Sequence, residues 1–417
     1  MSIAIAAPAA AFRRARSASL LLGPAFVAAI AYVDPGNVAA NVSAGAQYGY
    51  LLVWVVVLAN LMAALVQYLS AKLGVVTGRS LPELVRAAAG PRSRLGYWAQ
   101  AELAAMATDL AEVVGGAIAL QLLFGLPLLL GGVITGVVSM LLLTVQNRHG
   151  QQRFERVIVG LLAIISIGFV ASLVISPPSV AQTAGGLVPR FQDTNSVLLA
   201  AAMIGATVMP HVIYLHSGMS RDRHGHSEPG PARTRLLRAN RWDVGIAMLI
   251  AGVVNLAMLL MAAHTFAGHA EVSTIQDAYH AVHHSLGAFA ALLLAVGLLA
   301  SGLASTSVGA YAGAMIMDGL LRRRVPLLAR RTVTLVPALI ILAAGVDPTR
   351  ALIVSQVVLS FGIPFALIPL VRLTANRTLM GADVNHRATT AVAWLIAVLI
   401  TALNLFLIYL TVTGAGA

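Results

Sequence analysis

Four side chains able to bind metal or carry protons stand close against prolines in this sequence. They are Asp34 and Asn37 in Asp34-Pro35-Gly36-Asn37, and Met209 and His211 in Met209-Pro210-His211. Both strings interrupt small, apolar runs long enough to cross a bilayer. Pro35 lacks an N–H and drives Asp34 out of the α region, while Gly36 adds backbone freedom. Carbonyls of the preceding turn lose their helical donors and need another partner, a role suited to a cation. Asp34 and Asn37 are three residues apart, so both side-chain oxygens can face one point. Met209 precedes the second proline, which frees carbonyls one turn back, around Ala206. The result is a carboxylate, an amide oxygen, a backbone carbonyl and a thioether. Mg²⁺ and Ca²⁺ prefer all-oxygen shells, whereas a thioether favours softer transition metals. The expected substrate is a divalent transition metal. Methionine on its own is more often core filler, so the case for Met209 rests on its setting.

A second constellation concerns protons. Glu102, Asp109 and Glu112 follow one another at spacings of seven and three, which puts them on one helical face. Three acids on a membrane helix must line a polar path or meet cations. Arg330 and Arg331 are the candidate partners. His211 lies two residues past Met209, and imidazole suits a proton relay near neutral pH. The competing reading is static ion pairing that fixes helix packing, strongest for Glu102. His216 stands open between a relay or gate and a simple hydrogen bond. His280, His283 and His284 have metal-compatible spacing but nothing that completes a site, and are expected in an exposed external loop.

The elements that must position these groups are membrane helices. The 417-residue chain is 59% hydrophobic and only 10% charged, with a mean hydropathy of +0.86, far from the composition of a soluble domain. Eleven spans are expected, at roughly 20–45, 50–74, 97–124, 127–146, 156–176, 196–220, 243–266, 285–320, 332–345, 350–373 and 388–413. The run at 285–320 exceeds one crossing, so its end is expected to project into the cytoplasm. The net charge of +12 does not indicate nucleic acid. With the N-terminus cytoplasmic, 25 of the 27 basic residues fall inside and only Arg190 and Arg350 outside, the asymmetry that orients membrane proteins. Residues 1–17 are expected to be a disordered tail and the apolar run after them a retained first helix. There is no cysteine, which excludes thiolate metal sites and disulfides. No phosphate-cradling glycine loop is present, so ATP drive is not expected, nor any cofactor beyond the transported metal.

The two breaks are 175 residues apart, Pro35 to Pro210. That offset makes spans 1–5 repeat as spans 6–10. Five is odd, so the second copy enters the membrane from the other side. The reading is an all-α membrane protein with a 5+5 inverted repeat and discontinuous helices 1 and 6. One transporter domain covers 18–417: a first repeat at 18–176, its inverted copy at 194–373, and an extra helix at 388–413. A sodium-coupled organic-solute carrier would want hydroxyl-rich sites at the breaks. An intramembrane enzyme built on Asp109 and Glu112 would have no use for paired breaks.

At these residues the chain resembles the Nramp family of proton-coupled divalent metal transporters, close to its bacterial manganese-transporting members. Asp34-Pro35-Gly36-Asn37 matches the family's first-helix motif and Ala206-Thr207-Val208-Met209-Pro210-His211 its sixth-helix motif. Ala107 through Glu112, and Ser355-Gln356 through Pro364, match further stretches. The resemblance runs from about residue 20 to 413. It implies a LeuT-like fold and metal ligation by Asp34, Asn37, Met209 and the Ala206 carbonyl. The Ala31 carbonyl and Gln356 would join as state-dependent ligands. It implies Asp34 as the coupling acid, with His211, Glu112 and Asp109 as onward proton sites. Glu102, Arg330 and Arg331 would complete the network. The implied substrates are Mn²⁺, Fe²⁺ and Cd²⁺ with H⁺, carried into the cytoplasm across a bacterial inner membrane. One departure is Ala312-Gly313-Ala314, where many relatives carry a polar residue after Ala-Gly.

Overall fold

Helices account for the regular structure of the described residues, which in this computed structural model are 23–149, 151–175, 177–266, 274–323 and 325–413. The expected N-terminal tail lies outside them. The first expected span is two helices, α1 (Pro24–Ala31) and α2 (Pro35–Tyr48). Then come α3 (Val53–Thr77), a short α4 (Leu81–Ala88), α5 (Pro91–Phe124), α6 (Leu128–His149), α7 (Gln151–Ile175) and a short α8 (Val180–Gly185). The sixth span is again two helices, α9 (Thr194–Thr207) and α10 (Pro210–His224). The rest are α11 (Pro231–Phe266), α12 (Ile275–Leu286), α13 (Ala288–Leu321), α14 (Leu327–Ala343), α15 (Pro348–Thr374), a one-turn α16 (Arg377–Met380) and α17 (Arg387–Thr413).

Each expected span thus has a helix or a helix pair. Seven helical stretches among the described residues are long and apolar enough to cross a membrane, with α9 and α10 counted together. The run at 285–320 is one long helix, α13, which begins three residues later than expected. Gly287, with a φ of 91°, separates it from the α12 that precedes it. The segment expected to be an exposed external loop is mostly α12, started by a capping box between Thr274 and Asp277. Its apolar face buries Ile275, Ala278 and Val282, while His280, His283 and His284 stay exposed.

Prolines punctuate the chain because a proline costs nothing as the first helical residue, where no intrahelical donor is needed. Pro35 and Pro210 each start a helix in this way while ending the one before. Around them the usual polarity of a soluble protein is inverted. Large apolar side chains such as Leu249, Ile340 and Leu405 face outward, whereas Asp34, Asn37, Glu112, Asn255 and Gln356 are buried. The first break is clasped by glycine-lined helices. A Cβ on Gly115 of α5 would overlap the Pro35 ring, and one on Gly302 of α13 would lie 3.5 Å from Pro35 Cγ. Small residues allow this close helix approach.

Candidate metal centre

Pro35 and Pro210 have no N–H to give to the carbonyls four residues earlier, those of Ala31 and Ala206. Asp34 caps α2: its Oδ1 accepts from the Asn37 backbone N–H at 2.7 Å. Its Oδ2 is buried and accepts no hydrogen bond. The Asn37 amide donates to the Tyr32 carbonyl at 2.5 Å and reaches the Ala206 carbonyl at 3.4 Å. That second contact joins the two breaks across 169 residues. Asn37 Oδ1 is left without a donor, and so is Gln356 Oε1 on α15. Gln356 packs on Gly36, where a Cβ would lie 2.7 Å from Gln356 Cγ. Met209, with no exposed surface, is the N-cap residue of α10 but makes no side-chain cap. The site therefore presents three buried acceptor oxygens without protein donors, on Asp34, Asn37 and Gln356, beside proline-freed carbonyls and a thioether. Buried acceptors left unmatched are costly, and a cation would match all of them.

Not every freed carbonyl awaits a cation. Asn255 on α11 donates to the Tyr32 carbonyl at 2.8 Å, and the Ser301 hydroxyl on α13 to the Val33 carbonyl at 2.5 Å. Asn255 in turn accepts from Asn41 at 2.9 Å. The sequence reading omitted these residues. Their signal was a lone amide or hydroxyl inside an apolar span.

The acids of α5 meet the expected arginines of α14. Arg330 pairs with Glu102 at 2.8 Å, Arg331 pairs with Asp109, and Arg331 Nη1 lies 3.5 Å from Glu112 Oε2. Three carboxylates thus face two guanidinium groups, one acid more than the cations balance. Arg331 is buried, and also donates to Ser139 at 3.3 Å and Thr306 at 3.4 Å. Gly313 of the Ala312-Gly313-Ala314 stretch makes room for Arg330, because a Cβ on Gly313 would overlap the Arg330 guanidinium. Gly309 likewise makes room for Glu112, whose Oε1 would lie 3.1 Å from a Cβ there.

His211 approaches this group through Thr108, its Nδ1 3.4 Å from Thr108 Oγ1, and its buried Nε2 has no partner. His216 does not join them. Its Nδ1 is 2.8 Å from Gln67 Oε1, and the Gln67 amide donates to the Tyr32 hydroxyl. His211 and His216 of α10 thus serve different networks. His280, His283 and His284 form no three-membered metal cluster among the described residues.

Orphaned ligand atoms buried at two helix breaks of a polytopic helical fold define a membrane transporter, not an enzyme. A family model described as natural resistance-associated macrophage protein-like, Nramp, matches residues 25–410. The chain belongs to the Nramp family. It is 68% identical over 394 residues to the divalent metal cation transporter MntH of Mycobacterium tuberculosis (strain ATCC 25618 / H37Rv), covering 94% of this chain and 92% of that protein. It also superposes on the crystal structure of the Eremococcus coleocola manganese transporter bound to an aromatic bis-isothiourea substituted compound. That match has a TM-score of 0.83 and 34% identity, over 93% of this chain and 86% of the other. Mhp1, a nucleobase-cation-symport-1 family transporter, shares the fold alone at a TM-score of 0.61 and 17% identity, covering 93% and 90% of the two chains. The LeuT-like fold that the family resemblance implied is thereby present.

Proposed function

We propose that this chain carries divalent transition metals, Mn²⁺ and Fe²⁺ and also Cd²⁺, into the cytoplasm together with protons. The observation that carries the reading is the set of three donorless oxygens on Asp34, Asn37 and Gln356, buried as Met209 is, with the two helix breaks joined by the Asn37 contact to the Ala206 carbonyl. The 68% identity to a protein named as a divalent metal cation transporter supports the substrate class. The carbonyls of Ala206 and Ala31 complete the shell as the cycle proceeds. One carboxylate leaves the site weakly charged, so binding is reversible. The thioether admits softer ions and disfavours Mg²⁺ and Ca²⁺.

Protons leave Asp34 when metal arrives. His211 and the Glu112, Asp109 and Glu102 group receive them, since three acids facing two arginines have room for one proton. Arg330 and Arg331 hold that group in place, and His216 belongs to the Tyr32 side of the site. Eleven spans with a cytoplasmic N-terminus, one domain of two inverted repeats plus a final helix, and a bacterial plasma membrane complete the reading. A negative-inside potential assists entry by about 2.3 kcal/mol per charge per 100 mV. The test is uptake by proteoliposomes offered Mn²⁺ or Cd²⁺ against Mg²⁺ or Ca²⁺, with internal pH recorded. Mn²⁺ entry with internal acidification is expected; absence of any metal flux refutes the reading.

A further inference from the structure

We propose that Asp243 is a positioning residue that latches α1 shut from across the molecule and so controls when the metal site opens to the cytoplasm. Asp243 lies in α11, on the far side of the sequence from α1, and is fully buried. Its two oxygens divide between two backbone donors: Oδ1 accepts from Gly23 N and Oδ2 from Ala25 N, each at 3.1 Å. Gly23 is the N-cap of α1, and as a glycine it has no side chain to cap with. Pro24 between them has no N–H at all. The carboxylate therefore supplies from 218 residues away the cap that α1 lacks in its own sequence. A negative charge at this position also complements the positive end of the helix dipole.

Location gives the contact its consequence. α1 has eight residues, seven of them buried, and its C-terminal end carries the Ala31 carbonyl at the metal site. The non-helical residues between α1 and α2 provide a hinge. In the topology proposed above, α1 lies between the site and the cytoplasm, so metal can leave only when α1 swings away. That swing must break both hydrogen bonds to Asp243. The latch thus holds the inside-closed states against the inside-open one. Removing it shifts the population toward the open state by the free energy of those contacts. The inference rests on the transport proposed above, with the site opening in turn to either face, but not on which ion is carried, so its test needs no metal flux.

The absence of cysteine makes the test clean. Ala28→Cys places a thiol in the middle of α1, at a residue 1% exposed. Ala46→Cys places one near the far end of α2, at a residue 5% exposed. Each is treated with membrane-impermeant maleimide, the first from the cytoplasmic face and the second from the external face. Adding Asp243→Ala should speed cytoplasmic labelling at position 28 by about tenfold or more, the worth of one hydrogen bond to a charged group. Asp243→Asn, which keeps one acceptor oxygen, should fall between it and the parent. External labelling at position 46 should slow in the same variants, because a population moved inward leaves the outward state. A general loosening of the fold would speed labelling at both positions and overturn the proposal. Unchanged labelling at position 28 would overturn it as well.

Discussion

Gly36→Ala perturbs the metal site without altering any ligand. Gly36 is the second residue of α2 and sits in ordinary helical backbone, so alanine adds no conformational strain. Its Cβ would, however, lie 2.7 Å from Gln356 Cγ and still closer to the amide group. Ordinary contact begins near 3.4 Å, so Cγ must retreat by 0.7 Å (3.4 − 2.7), and the amide by more. Gln356 is wholly buried, so its side chain has little space in which to keep Oε1 on target. A displacement near 1 Å in a positioned group costs up to about a hundredfold. A weakening of Cd²⁺ or Mn²⁺ binding by roughly 10- to 100-fold is expected, or about 1.4–2.7 kcal/mol. The assay is calorimetric titration of purified protein with Cd²⁺, run as a double-mutant cycle with Gln356→Ala. Once Gln356 is truncated, Gly36→Ala has nothing to displace and should change affinity little. The coupling should recover most of the single-mutant loss, in the range known for touching residues. Additive effects in the two backgrounds would refute the reasoning, because Gly36 would then act independently of Gln356.

Two further outcomes follow from the same geometry. Asp34→Asn keeps an oxygen that can cap α2 but removes the charge that metal and proton compete for, so metal-driven internal acidification in proteoliposomes should be abolished; intact acidification would place the coupling acid elsewhere. Glu83, in the short α4 outside the spans, pairs with Arg221 at 2.7 Å and accepts from Ser80 N at 2.7 Å. Partial burial alone would raise its pKa, but the Ser80 hydrogen bonds and the Arg221 charge outweigh it and hold the carboxyl below its ordinary 4.5. A depressed carboxylate stabilises the fold above the unfolded-state value and loses that contribution as pH falls through the lower folded value. Both partners are about a quarter exposed, so Glu83→Gln should cost only about 0.5–1 kcal/mol at pH 7. Melting curves of the variant and parent should converge below pH 4.5, and a gap that persists in acid would contradict the assignment.

The legible parts of this protein are those in which composition violates its surroundings. Asp34, Asn37, Met209 and His211 stand out because polar or soft groups beside proline are rare in apolar spans, and the same rarity marks Glu102, Asp109, Glu112, Arg330 and Arg331. What stayed hidden depends on distances between remote segments. Nothing in the order of residues says that Asn255 and Ser301 satisfy the Tyr32 and Val33 carbonyls, so the sequence reading left those carbonyls to a cation. Likewise Asp243 reads as one acid near the start of a span until the fold sets it against Gly23 and Ala25. The reading of 285–320 as one span holds as α13, but the loop expected before it is the helix α12. Apolar content runs through Gly287, so the sequence hid the positive φ that ends one helix before the next begins. Gly36, Gly115 and Gly313 show a subtler limit, since the close contacts each permits are visible only through what occupies the space of its absent side chain.

The central claim is that a thioether and donorless oxygens at the paired breaks form one metal shell. X-ray absorption fine structure of the Cd²⁺-loaded protein tests it most directly. With no cysteine in the chain, any sulfur scatterer bonded to cadmium must come from a methionine. One sulfur among several oxygens is predicted, and Met209→Ala should remove it while oxygen scattering remains. A shell of oxygen and nitrogen only, or a sulfur signal that survives Met209→Ala, would contradict the account.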